Sequence, residues 1–164
     1  MSRVLAVVGN PRPASRTHAI AHTLADEIAR AISGERAPDV DLAAFGARVL
    51  DHGDAEVAGA VEQVLAADVV VVASPTYKAT YSGLTKGFLD RVPTGALGGR
   101  RAVPVLLGGA PNHQLAVDVH LAPLLLELGA SVPARGLFVL EAEVEAFPAR
   151  AAAWADAHAA ALGG

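Results

Sequence analysis

The run Gly9-Asn10-Pro11-Arg12-Pro13-Ala14-Ser15-Arg16-Thr17 joins an apolar segment to the start of a helical pattern, and its side chains are of the kind that bind an anion. Arg12 offers a planar fork of donors suited to phosphate oxygens, Ser15 and Thr17 offer hydroxyls, and Asn10 an amide. A helix beginning at Arg16 adds unpaired backbone N–H groups and the positive end of its dipole. Read by itself, the segment is either such a cradle or a polar turn in which Ser15 caps the helix and Arg12 is solvated. It is neither of the familiar nucleotide loops, since G-x-x-x-x-G-K-[ST] is absent and so are the three glycines of G-x-G-x-x-G.

Two more loops stand out. Ser74-Pro75-Thr76-Tyr77-Lys78-Ala79-Thr80-Tyr81-Ser82-Gly83 is polar and aromatic, and Gly108-Gly109-Ala110-Pro111-Asn112-His113 is rich in glycine. Tyr77 and Tyr81 either contact a ligand or pack over the end of a sheet; Lys78 is a ligand contact or a solvated charge; His113 borders a ligand or caps the next helix. Lys86 and Asp90, four apart, predict a surface ion pair. His18 and His22 are also four apart and share a helix face, a metal-pair spacing, but the sequence supplies no third ligand nearby and a solvated pair is the simpler reading.

A chain of 164 residues is close to one domain, and a single domain over 1–164 is expected. Its 52% hydrophobic and 18% charged residues exclude a disordered chain and predict a sheet buried on both faces. A net charge of -4 gives no footprint for nucleic acid or anionic membrane, so neither is expected as a partner. The absence of cysteine removes disulfides, thiolate catalysis and thiolate metal sites. With no signal-peptide pattern and no membrane-length apolar run, a cytoplasmic location is expected.

Hydrophobic patterning places the loops. Val4 to Val8 reads as a buried strand, followed by a helix from Arg16 to Ala31 with Ile20, Leu24 and Ile28 as its apolar stripe. Val40-Asp41-Leu42 is a weak second strand, Gly46 to Asp54 a loop, and Ala55 to Ala66 a helix. Asp68 to Ala73 is the strongest strand; a helix over Ser82 to Arg91 and a strand over Ala102 to Leu107 follow. Gln114 to Leu128 reads as a helix kinked at Pro123, Val132 to Leu140 as an edge strand, and Glu143 to Leu162 as a closing helix anchored by Trp154. Five strands alternating with five helices predict an α/β three-layer sandwich with a parallel sheet in the flavodoxin-like order 2-1-3-4-5. The three loops then meet beyond the strands' carboxyl ends, where strand order reverses.

The sequence resembles the NADPH-dependent FMN reductase family, in the branch that supplies reduced flavin to two-component monooxygenases. The likeness rests on residues 9–17 against the family's G-S-P-R-x-x-S-R-[ST], on Ser74 through Lys86, and on Gly108-Gly109 with His113, Leu115-Ala116-Val117-Asp118 and Pro123. It implies that Arg12, Ser15 and Thr17 hold the FMN phosphate, with Asn10 where the family often has serine. It also implies that Pro75, Thr76, Tyr77 and Lys78 lie along the ribityl chain and ring, the backbone near Lys78 and Ala79 facing flavin N5. Gly108, Gly109 and His113 would border the pyrimidine side. NADPH or NADH would be the hydride donor and no protein group a catalytic acid or nucleophile; a homodimer or homotetramer and a partner flavin-dependent monooxygenase are implied. The rivals are a quinone- or azo-type reductase that keeps its FMN and a flavodoxin-like electron carrier. Some relatives place a tyrosine after the aspartate of Val117-Asp118, within a π-bulged helix tied to oligomerisation. This chain has Val119 there, followed by His120, which speaks against the bulge and its interface but not against an ordinary family dimer or tetramer.

Overall fold

A computed structural model describes residues 1–163. Its sheet is parallel throughout and is built from β1 (Arg3–Val8), the two short strands β2 (Glu35–Arg36) and β3 (Val40–Asp41), β4 (Val69–Pro75), β5 (Arg101–Gly108) and β6 (Leu137–Leu140). The spatial order is β2-β1-β4-β5-β6, with β3 also on β1. Counted as one interrupted strand, β2 and β3 give the 2-1-3-4-5 order of a flavodoxin-like sheet. The interruption falls where Pro38 has no N–H to give the ladder: β2 pairs with Arg3 and Val4, β3 with Val7 and Val8. Leu42, expected in this strand, starts a 3-10 turn in which the Ala43 N–H is capped by the Asp41 carboxylate. The expected loop over residues 46–54 likewise holds a 3-10 turn, Gly46–Leu50.

Strand alternation sorts the core into two layers. Val4, Ala6 and Val8 of β1, with Val69, Val71 and Ala73 of β4, face helices α1 (Arg16–Ala31) and α5 (Phe147–Gly163). Leu5, Val7, Val70 and Val72 face α2 (Ala55–Leu65), α3 (Gly83–Leu89) and α4 (Ala122–Glu127). The α1 stripe lies as predicted, with Ile20, Leu24 and Ile28 at 1% exposure or less. Each such side chain contributes roughly 1.5–3 kcal/mol relative to its exposed state.

Three expectations are corrected. The closing helix begins at Phe147, not Glu143, with Pro148 tolerated in its first turn, where its missing N–H would have had no partner anyway. Its buried anchors are Phe147 and Leu162; Trp154 is only partly buried and stacks on His158 at 4.4 Å between ring centroids. The last strand shrinks to Leu137–Leu140 because Pro133 breaks the ladder after a lone bridge between Ser131 and Arg101.

The third concerns the helix around Pro123. Residues Val117–Leu121 form a π-helix that runs into α4, even though position 119 is valine and not tyrosine. Pro123 cannot donate to Val119 O and its ring would crowd that carbonyl in an α-helix. The wider turn accommodates both, and the N–H of Ala122 reaches back five residues to Val117 O. The signal was the proline that had suggested a kink.

Candidate functional site

β1 delivers the chain to Gly9, whose N–H donates to Ala73 O of β4 at 2.7 Å. A side chain cannot fit there: a Cβ on Gly9 would lie 1.8 Å from Thr85 Oγ1. Asn10 is buried and organises the turn from within, Oδ1 accepting from the Arg12 N–H at 2.9 Å and Nδ2 donating to Thr17 Oγ1 at 3.0 Å. Ala14 takes a left-handed φ of 50°. Ser15 then caps α1, its hydroxyl accepting from the His18 N–H at 3.1 Å, and no acidic residue occupies the first turn to oppose an incoming anion. Arg12 projects into solvent beside this helix start, and none of the ion pairs among the described residues involves it.

The second loop leaves β4 at Pro75 and folds into a two-residue hairpin. Tyr77 N–H donates to Thr80 O at 2.8 Å and Thr80 N–H to Tyr77 O at 3.2 Å, with Lys78 (φ 52°) and Ala79 (φ 65°) at the tip. Two successive left-handed residues form the turn whose twist matches a hairpin, and it normally selects Asn-Gly. Behind it lies a buried hydroxyl network. Ser82 N–H donates to Ser74 Oγ at 2.8 Å, and Ser82 Oγ donates to Gly9 O at 2.6 Å while resting 2.9 Å from Thr85 Oγ1. The first two loops are thereby fastened together.

The third loop leaves β5 at Gly108, where an added Cβ would meet the Phe138 ring at 2.5 Å; at Gly109 an added Cβ would meet nothing within 4 Å. Together the loops enclose a cleft of about 400 Å³, lined by Asn10, Arg12, Pro13, Ala14, Ser15 and Arg16, then Pro75, Thr76 and Tyr77, then Leu107, Gly108, Gly109 and Glu141. Of the residues singled out in the sequence, Asn10, Arg12, Ser15, Pro75, Thr76, Tyr77, Gly108 and Gly109 converge here. Thr17 stands behind the loop, fully buried on Asn10. Lys78 and Ala79 form the hairpin tip and His113 ends a 3-10 turn, Pro111–His113, with Nε2 3.3 Å from Asn112 Nδ2; none of the three lines the cleft.

Sequence reasoning missed Glu141, which arrives from the end of β6 and pairs with Arg16 at 3.0 Å. Only its place after the last strand could have flagged it. Ser74, Ser82 and Thr85 were missed as positioning residues; their signal is a hydroxyl in an otherwise apolar strand end and the Ser-x-x-Thr opening of α3. Lys86 and Asp90 do pair, at 2.5 Å, and the Asp90 carboxylate raises the Lys86 ammonium above its ordinary value.

The cleft suits a flavin mononucleotide. Thr76 Oγ1 is buried without a hydrogen-bond partner, a costly state that a ligand's polar group relieves. The open space over Gly109 admits a flat ring to the backbone, while Arg12 and the α1 start suit a phosphate. Comparison with known proteins agrees in kind. The pattern of the NADPH-dependent FMN reductase family matches residues 2–145. An FMN reductase (NADPH) of Escherichia coli is 43% identical over 83 residues, covering 51% of this chain and 44% of that enzyme. The NADH-dependent FMN reductase SfnF of Pseudomonas putida is 33% identical over 153 residues, covering 88% and 79% respectively. Among solved structures, an NADH:FMN oxidoreductase (EMOB) in its apo form superimposes with a TM-score of 0.89 at 27% identity, over 99% of this chain and 90% of that one. Fold, cleft and sequence pattern coincide along almost the whole chain, which belongs to the NADPH-dependent FMN reductase family.

Proposed function

We propose that this chain catalyses the reaction for which its family is named, hydride transfer from NADPH or NADH to FMN, and hands the reduced flavin to a partner monooxygenase. The observation that carries the reading is the cleft with an unpartnered buried hydroxyl at Thr76 and an ion-pair-free guanidinium at Arg12, in a chain of this family. FMN supplies the redox chemistry, accepting a hydride at its ring. The chain's own part is binding and orientation. Arg12, Ser15 and the first turn of α1 take the phosphate, and Asn10, held by Thr17, fixes the path of that loop. Thr76 and Pro75 flank the chain of the flavin, and Gly108 and Gly109 let backbone groups approach the ring. On this reading the backbone of the Lys78-Ala79 tip, next to the cleft-lining and 46% exposed Tyr77, faces flavin N5. On the same reading His113, at the end of the 3-10 turn after Gly109, borders the pyrimidine side of the ring.

A homodimer or homotetramer follows from the same reading. Leu115 just before the π-helix, Val119 within it and Leu126 in α4 are each more than half exposed, apolar surface suited to a second copy. Anaerobic stopped-flow with NADPH and with NADH, with and without added FMN, tests the activity. Nucleotide oxidation that requires FMN and proceeds faster with FMN than with a quinone acceptor is expected. Absence of FMN-dependent oxidation with either nucleotide overturns the reading.

A further inference from the structure

The histidine pair on α1 has acquired a third member. Asp39, in the turn between β2 and β3, directs Oδ2 at both rings, 3.0 Å from His18 Nε2 and 2.7 Å from His22 Nδ1. All three donor atoms lie within 4.8 Å of one another. We propose that His18, His22 and Asp39 form a binding site for a divalent transition-metal ion of the zinc class, beside the flavin cleft, with which its hollow shares Ala14 and Ser15.

Proton counting makes the argument. A neutral imidazole carries one N–H, yet each ring here faces carboxylate oxygen on both sides. His18 Nδ1 looks toward Asp41 Oδ2 at 3.8 Å and His22 Nε2 toward Asp26 Oδ2 at 3.3 Å, while the inward nitrogens share Asp39 Oδ2. Two neutral rings supply two protons for four such contacts, so the cluster needs either two imidazolium rings or a cation at its centre. A metal ion at the centre resolves the shortage, because the protons move to the outward nitrogens and three lone pairs converge on the cation. Imidazoles backed by carboxylates are the usual outer arrangement of a zinc site. Donor atoms about 3.3 Å apart are what zinc bonds near 2.0–2.1 Å produce at a tetrahedral angle. The present 3.0 and 2.7 Å contacts reach that by a small opening.

Arg36 is the one nearby cation and works against binding, but its placement limits the harm. It bonds Asp39 through Oδ1, leaving Oδ2 for the histidines, and Asp26 through Oδ1 at 2.8 Å; its Nη2 also lies 3.5 Å from His22 Nδ1 and must draw back from that nitrogen when an ion binds. Asp26, Asp39 and Asp41 set three negative charges against it. The side chains of His18 and His22 are 32% and 55% exposed, so an ion has access, and an open hollow walled by Ala14, Ser15 and Ala19 leaves room for water as a further ligand. The sequence conceals the site because Asp39 lies 17 residues beyond His22 and is brought back only by the pairing of β3 with β1.

Titration calorimetry of the untagged, flavin-free protein with zinc, after treatment with a chelator and its removal, tests the proposal without reference to flavin chemistry. One zinc per chain is expected, with binding lost in both His18→Gln and His22→Gln, kept in His52→Gln, and weakened about tenfold in Asp26→Asn. Zinc should also raise the Tm of the wild type and of His52→Gln but not of His22→Gln, whose exposed position leaves folding intact. No zinc binding by the wild type, or equal binding by His22→Gln, overturns the assignment.

Discussion

Replacing Gly9 with alanine tests whether the first two loops are held as one unit. The new Cβ would sit 1.8 Å from Thr85 Oγ1 and 2.9 Å from Thr85 Cβ. Ordinary contact begins near 3.4 Å, so the hydroxyl must retreat by well over an ångström. That hydroxyl cannot retreat alone, because it lies 2.9 Å from Ser82 Oγ, which also donates to Gly9 O and accepts from the Thr85 N–H at 3.1 Å. Overpacking a core costs about 1–3 kcal/mol, and leaving one buried polar group unsatisfied adds about 1–3 kcal/mol. Gly9→Ala should therefore destabilise by roughly 2–6 kcal/mol in urea unfolding, and FMN affinity, read by flavin fluorescence quenching, should fall as the loops part. Thr85→Ala removes the nearer of the two clashing atoms. The double variant should accordingly be more stable than Gly9→Ala alone, although Thr85→Ala is itself destabilising. Simple additivity of the two losses would refute the account, since it would mean that Gly9 and Thr85 do not meet in the way described.

Further outcomes follow from other contacts. Arg12→Ala should weaken FMN binding about 10- to 150-fold, the equivalent of a charge-assisted hydrogen bond of about 1.5–3 kcal/mol; unchanged affinity in the same quenching titration removes the phosphate assignment. Ala79→Gly should stabilise the protein by about 0.5–1 kcal/mol, because alanine is held at a φ of 65° that glycine adopts freely; a lower urea midpoint contradicts this. The Asp54 carboxyl is held below its ordinary value by the Val57 N–H, with Arg48 assisting against the cost of burial. Its charge therefore stabilises the fold above the unfolded pKa, about 3.9, and that contribution is lost as pH falls through the lower folded value. Asp54→Asn keeps a capping side chain but no charge, so the wild type's advantage in urea midpoint should begin to shrink below about pH 4 and be gone once the pH lies under the lowered folded value. An advantage that stays constant down to acid pH contradicts the assignment.

Much of the architecture was legible because the strands are continuous apolar runs. Val69-Val70-Val71-Val72 permits only a strand covered on both faces, and its neighbours fall into place around it. What failed was local chemistry decided by proline and by distance. Pro38 split the second strand, Pro133 shortened the last, and Pro123 drew out a π-turn where the absent tyrosine had argued against one. In the site, the cleft-lining loops could be read from residue types, because arginine, serine and paired glycines at strand ends have few other uses. Glu141 and Asp39 could not, because each meets its partners through tertiary pairing: Glu141 joins Arg16 across 125 positions of sequence, and no periodicity encodes that.

The same loops also carry most of the backbone strain. Four non-glycine residues have a left-handed φ among the described residues, and three of them, Ala14, Lys78 and Ala79, belong to the first two loops. Each costs about 1–2 kcal/mol relative to an ordinary conformation, and a chain free to relax would not keep all three together. They persist because the Gly9–Ser74–Ser82–Thr85 network, sealed beneath the loops, opposes relaxation with buried hydrogen bonds that have no alternative partner. Strain on the surface and satisfaction underneath are parts of one design: the network fixes the loops before ligand arrives, so binding does not have to order them. On that reasoning Ala79→Gly, though more stable, should bind FMN no more tightly than the wild type. The position that gains stability gives up some of the rigidity of the hairpin whose Tyr77 lines the cleft.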